Sequence, residues 1–139
     1  MPAPTPPLPA LLVIDDDPVA AALIVHVAME CGYAVSVTDT APSTFRRELA
    51  PETVIVLDIV LPDEDGLQVM RRVAAEGCRN PIIVVSGYDG EYLRAATMFA
   101  RALGLQVVAA IEKPFQPDQL RDALAGLGST PTRAVARAA

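Results

Sequence analysis

The sequence predicts an α/β protein built on a parallel sheet. Short apolar runs alternate with stretches of helical period five times along the chain, the pattern of successive strand–helix units. The runs over 11–14, 53–57 and 81–85 are continuous rather than alternating, as strands buried on both faces must be. Apolar residues make up 52% of the chain and aromatics only 4%, so the core is aliphatic, as Val/Ile strands under Ala/Leu helices require.

Strands are expected over 11–15, 34–38, 53–58, 82–86 and 106–111. The second, Ala34-Val-Ser-Val-Thr38, alternates and is short, so it reads as an edge. The first helix opens at Asp17-Pro18, an Asp cap followed by Pro at the first helical position. Its inner stripe is Ala20, Leu23, Ile24, Val27 and Cys31, and Gly32 stops it. A short second helix spans about 43–49 and ends before Pro51. The third runs from Gly66 to about Ala75, with Leu67, Met70, Val73 and Ala74 inward. The fourth runs from about Gly90 to Leu103, closed by Gly104, and the fifth from Pro117 to about Leu127. Residues 1–9 form a Pro-rich extended lead-in, 10–127 one domain and 128–139 a frayed tail, with no internal repeat.

Composition excludes several classes. A net charge of -6 argues against a nucleic-acid partner, whose phosphates the surface would repel. No apolar run approaches the about 18 residues of a membrane span, and no basic region leads into an apolar stretch at the start. Cys31 and Cys78 have neither metal nor redox spacing, which fits a reducing cytoplasm.

The strand ends carry the chemistry. The first run ends in Asp15-Asp16, the third in Asp58, the fourth in Ser86 and the fifth in Glu112-Lys113-Pro114. Open parallel sheets place their sites beyond the carboxyl ends of their strands. Gathered there, these residues make an acidic metal pocket with one hydroxyl and one ammonium, suited to phosphoryl transfer onto a carboxylate. Three carboxylates this close repel, so at least one pKa should rise unless a cation is bound. A hard divalent ion with oxygen ligands relieves that repulsion, and Mg²⁺ fits because it takes few protein carboxylates.

This constellation resembles the receiver domain of two-component response regulators over about residues 10–127. The shared motifs are the Asp pair, Asp58-x-x-x-Pro62-x-x-Asp65-Gly66, the hydroxyl of Ser86, and Lys113-Pro114-Phe115. The resemblance implies a doubly wound, flavodoxin-like five-stranded sheet of order 2-1-3-4-5, bringing the first and third strands together at the switch point. It implies that Asp16 and Asp58 bind Mg²⁺ directly, with the Val60 backbone carbonyl, while Asp15 acts through water. Asp58 is then the phosphoacceptor nucleophile, Ser86 and Lys113 hold phosphoryl oxygens, and Lys113–Pro114 is cis. The implied donor is a phosphohistidine on a sensor histidine kinase or a histidine phosphotransfer protein. The output goes to an unidentified downstream protein, and the fourth helix, fifth strand and fifth helix form the partner or homodimer face.

Plainer roles are expected for other polar residues. Asp17 is a helix cap, Asp63, Glu64 and Asp65 a solvated turn, and Gly66 a backbone-geometry residue. His26 lies mid-helix and is no phosphoacceptor; the cysteines, Tyr33, Phe45 and Phe99 are packing residues.

Two departures from the family pattern stand out. Ala110 occupies the position, three before the lysine, where receivers carry the aromatic ring that turns inward on phosphorylation. The readout must therefore differ, with Tyr88 and Tyr92 as substitutes. The stretch from Ser86 to Lys113 exceeds the usual length by about five residues, more than a turn of helix at about 3.6 residues per turn, so the fourth helix is long or has an extended exit. Independent turnover is not expected: a phosphatase with an aspartyl nucleophile carries a second acid two residues on, and here that position is Val60. The alternatives are a non-phosphorylated scaffold on this fold, or a receiver cut from a larger regulator with an output domain.

Overall fold

The computed structural model describes residues 7–127 except Asp63 and Tyr88, so most of the expected lead-in, the expected tail and the Tyr88 readout fall outside the described residues. The described chain alternates strand and helix throughout: β1 (Ala10–Ile14), α1 (Pro18–Glu30), β2 (Ala34–Thr38), α2 (Phe45–Glu48), β3 (Val54–Asp58), α3 (Gly66–Ala75), β4 (Ile82–Ser86), α4 (Gly90–Ala102), β5 (Val107–Glu112) and α5 (Pro117–Leu127). The strands form one parallel sheet of order β2-β1-β3-β4-β5. This is the doubly wound, flavodoxin-like receiver arrangement, with β2 at an edge as its alternating sequence requires.

Alternation along the strands builds two cores. Leu12, Ile14, Ile55 and Leu57 point to one face and meet Phe45 of α2, Val69, Met70 and Val73 of α3, and Leu93 and Ala96 of α4. Leu11, Val13, Val54 and Val56 point to the other and meet Ile24 and Val27 of α1 and Leu120 and Leu124 of α5. Each such aliphatic side chain contributes about 1.5–3 kcal/mol when fully buried.

Element ends differ from expectation by a residue or two, for local reasons. Asp15 still donates its backbone N–H to Thr38 O, but its side chain turns to accept from Asp17 N–H, which ends β1 at Ile14. β5 extends to Glu112 because Lys113 N–H bonds Ser86 O; a bulge opposite Ile82 and Ile83 shifts its register. α2 is only one turn. Its first N–H is taken by Glu76 rather than continuing a helix. The long stretch before β5 is spent on a 13-residue α4, ended by Gly104 at φ 91°. In α1, Ala20, Ile24 and Val27 are buried as expected, whereas Leu23 and Cys31 are half-buried and Ala21 and Ala28 complete the inner face. In α3, Val69 is buried and Leu67 only half so. No helix among the described residues is long and apolar enough to cross a membrane.

Candidate functional site

The site forms where β1 and β3 lie side by side and the chain leaves the sheet in opposite directions. Carboxylate oxygens of Asp15, Asp16 and Asp58 all lie within 4.8 Å of one another. Asp15 and Asp58 are buried, and Asp16 is exposed. Lys113 reaches in from the end of β5. Its Nζ is 2.9 Å from Asp15 Oδ2 and 3.0 Å from Asp58 Oδ2.

Local structure fixes each group. Asp15 Oδ1 accepts from Asp17 N–H at 2.9 Å, and Asp17 Oδ1 accepts from Val19 N–H at 3.0 Å, the expected cap of α1. Asp58 Oδ1 accepts from Val60 N–H at 2.8 Å. Val60 also bridges to Asp65, and Gly66 N–H bonds Ile59 O, closing the loop from 58 to 66 on itself. Glycine is required at 66 because an added Cβ would stand 2.5 Å from both Cα and O of Ile59. Ser86 ends β4, fully buried, one residue beyond the Val85 that faces Asp58 in the ladder. Lys113–Pro114 is cis.

Burial raises the Asp58 pKa, against the hydrogen bonds from Val60 and Lys113 that favour its charge; the Asp15 charge adds to the rise. Burial alone would lower Lys113, but hydrogen bonds to Asp15 and Asp58 and their charges outweigh it, so its pKa is raised and the ammonium is kept. The expected rise of one carboxyl therefore falls on Asp58, with desolvation ahead of repulsion as the cause.

The donor set suits a hard cation. Every ligand offered is an oxygen, and Asp15 Oδ2 is a buried acceptor that receives no well-aligned hydrogen bond although Nζ lies close to it. A surface groove of about 410 Å³, lined by Asp17, Val19, Leu23, Gly87, Lys113 and Phe115 among others, opens beside the lysine.

The solvated acidic turn was a partial misreading. Glu64 forks onto Arg72, and Asp65 caps α3 by accepting from Leu67 N–H at 3.0 Å. Sequence reasoning missed Arg72. Arg71 and Arg72 are adjacent and alike; only the rotation of α3 sends one over Phe99 and the other towards α2. Ala110 is exposed on β5 opposite Val84, so this position carries no ring to turn. Tyr92 is half-buried against the core at the start of α4.

A doubly wound sheet with three acids and a lysine at its strand tips defines a phosphoacceptor domain of two-component signalling. The response regulator receiver domain family matches residues 11–125, and the chain belongs to that family. It is 27% identical over 113 residues to the alkaline phosphatase synthesis transcriptional regulatory protein PhoP of Bacillus subtilis, covering 79% of this chain and 44% of that protein. It is 40% identical over 112 residues to the regulatory protein VirG of Agrobacterium fabrum, covering 78% of this chain and 42% of that one. The chain thus spans less than half the length of these curated relatives. Among solved structures, a response regulator from Colwellia psychrerythraea superimposes with a TM-score of 0.74 at 27% identity, covering 87% of this chain and 97% of that chain. The response regulator StyR gives 0.71 at 25%, covering 94% and 65%.

Proposed function

We propose that Asp58 is the phosphoacceptor and that the reaction uses Mg²⁺ held by Asp16, Asp58 and the Val60 carbonyl, with Asp15 acting through water. The observation that carries this reading is the convergence of three carboxylates at the tips of β1 and β3, two of which, Asp15 and Asp58, pair with the lysine that follows β5. Bound there, the cation would supply charge neutralisation to the incoming phosphoryl oxygens. An Asp58 oxygen attacks phosphorus, the P–N bond of a phosphohistidine already protonated on its other ring nitrogen breaks, and the electron pair stays on the imidazole, which leaves as neutral histidine. Lys113 keeps its proton throughout and moves from the carboxylates to a phosphoryl oxygen. Ser86 donates its hydroxyl to another. The protein's contribution is alignment and charge, with no proton transfer to arrange.

The donor is a sensor histidine kinase or histidine phosphotransfer protein, whose histidine reaches the acids past the groove beside Lys113. The phosphorylated chain then acts through a protein partner, in the cytoplasm, without turnover of a separate substrate. The surface of α4, β5 and α5 is the partner or homodimer face, since it adjoins Ser86 and Lys113.

Incubation with acetyl phosphate and Mg²⁺, followed by mass spectrometry, tests the assignment. The wild type should gain one phosphoryl group on Asp58, and Asp58→Asn none. Equal labelling of both, or none of the wild type, overturns it.

A further inference from the structure

Arg72 leaves α3 on the side facing α2. Its Nη1 donates to the carbonyls of Pro42 and Ser43, and its Nη2 reaches both carboxylate oxygens of Glu64, at 2.8 and 3.0 Å. The guanidinium carbon lies 5.8 Å from the centre of the Phe45 ring. One turn further on, Glu76 Oε1 accepts from Phe45 N–H at 2.9 Å. α2 needs both contacts. It is a single turn, too short to hold itself, and its cap Thr44 makes no side-chain hydrogen bond to it.

Glu64 belongs to another part of the molecule, the loop that leaves Asp58 and carries Val60. That loop is pinned at its base, where Gly66 closes on Ile59 and Val60 bridges to Asp65. Its outer arc is held by Glu64, whose side chain is only 33% exposed because it lies against Arg72. One guanidinium therefore ties the acidic loop to the α2 segment and to the body of α3. The rigid plane matters, since it aims Nη1 at the Pro42 and Ser43 carbonyls and Nη2 at the Glu64 carboxylate in one fixed geometry.

We propose that Arg72 is a positioning residue for the metal end of the site, fixing through Glu64 the loop that presents the Val60 carbonyl. This rests on the reading that Mg²⁺ binds beside Asp58. Positioning and simple charge make opposite demands. Removing the guanidinium leaves the site more negative, and by Coulomb attraction alone a cation would bind more tightly. Loss of a fixed ligand loop instead weakens it.

The test uses the full chain as wild type, Arg72→Met, Arg72→Lys and Glu64→Gln, with Mg²⁺ affinity by calorimetry and metal-free amide exchange at Val60 and Gly66 by NMR. Arg72→Met should weaken Mg²⁺ about tenfold, the scale for losing an outer partner of a metal site. Arg72→Lys keeps the charge but not the fork and should fall between. Arg72→Met and Glu64→Gln should both speed exchange at Val60 and Gly66. Glu64→Gln leaves Arg72 on the Pro42 and Ser43 carbonyls, so it reads the loop even if Arg72→Met folds poorly. Unchanged or tighter Mg²⁺ binding in Arg72→Met, or exchange as slow as wild type in Glu64→Gln, overturns the proposal. A wild type that binds no Mg²⁺ overturns the reading of the site instead.

Discussion

Lys113 Nζ stands 3.0 Å from Asp58 Oδ2, and that pair decides how the protein responds to charge at its centre. The ammonium is shared, because Asp15 Oδ2 lies equally near. Two buried carboxylates thus divide one cation, and the deficit settles on Asp58, whose pKa is raised chiefly by burial. Raised means that folding favours the protonated acid. The stability from this group is present below its unfolded pKa, about 3.9, and is lost as pH rises through the folded value. At neutral pH the charged Asp58 therefore opposes folding.

Asp58→Asn should accordingly stabilise the metal-free protein near neutrality. A rise in Tm of about 2–5 °C is expected, the shift that about 1 kcal/mol produces in a domain of this size. The gain should be smaller at acid pH than at neutral pH, as the wild-type acid takes up its proton. Mg²⁺ should raise the wild-type Tm and leave that of Asp58→Asn nearly unmoved. Thermal melts at both pH values, with and without Mg²⁺, check all three; a variant less stable than wild type at neutral pH contradicts them.

Removing the cation has the reverse effect. Lys113→Met leaves Asp15 and Asp58 buried without a partner, and breaking a buried pair from one side costs about 3 kcal/mol. The raised Lys113 pKa means its contribution is complete throughout the neutral range and fades only as pH climbs through the folded value, above about 10.4. Urea unfolding at neutral pH should show the loss, and Mg²⁺ should restore part of it by supplying charge to the same oxygens. Equal midpoints for the two proteins would contradict it.

The loop behind Asp58 is set by a close approach rather than by charge. Gly66→Ala places a Cβ 2.5 Å from the Ile59 backbone, which cannot move aside as a side chain can. A cost of about 3 kcal/mol is expected, at the upper end for overpacking. Mg²⁺ affinity should fall with it, because Ile59 and Val60 must shift together. Calorimetry alongside denaturation separates the two effects, and a variant as stable as wild type excludes the clash.

The sequence made the sheet readable because each strand's burial is written in its own residues. Val-Ile-Val-Leu before Asp58 and Ile-Ile-Val-Val before Ser86 admit few other places. The acids and the lysine were legible for the same reason, since each ends such a run. Arg72 was not, because its role depends on where α3's rotation and the β2–α2 connection bring Pro42, Ser43 and Phe45, some 27 to 30 residues away along the chain. The one-turn α2 was overlong in expectation for a related reason: its start is fixed by Glu76, the residue that caps α3, rather than by its own residues. Glu64 looked solvated because no local spacing announces a partner eight residues on, in a different element.

The lifetime of the phosphorylated state follows from what stands two residues past the acceptor. Hydrolysis of an aspartyl phosphate needs a water held in line with the phosphorus. Val60 offers only an apolar side chain there, and its N–H is committed to Asp58 Oδ1 at 2.8 Å. No other polar side chain of the loop is close at hand among the described residues, since Glu64 is turned onto Arg72 and Asp65 caps α3. The phosphoryl group should therefore persist for minutes or longer once the donor is removed. Val60→Asn, which adds a group able to orient water without adding charge, should shorten the lifetime about tenfold, less than the roughly 10²–10⁴-fold that a positioned acid or base supplies. Loading with acetyl phosphate, desalting and following decay by mass spectrometry gives both numbers. Wild-type loss within seconds, or a Val60→Asn protein that decays no faster, would show that water is ordered by some other group.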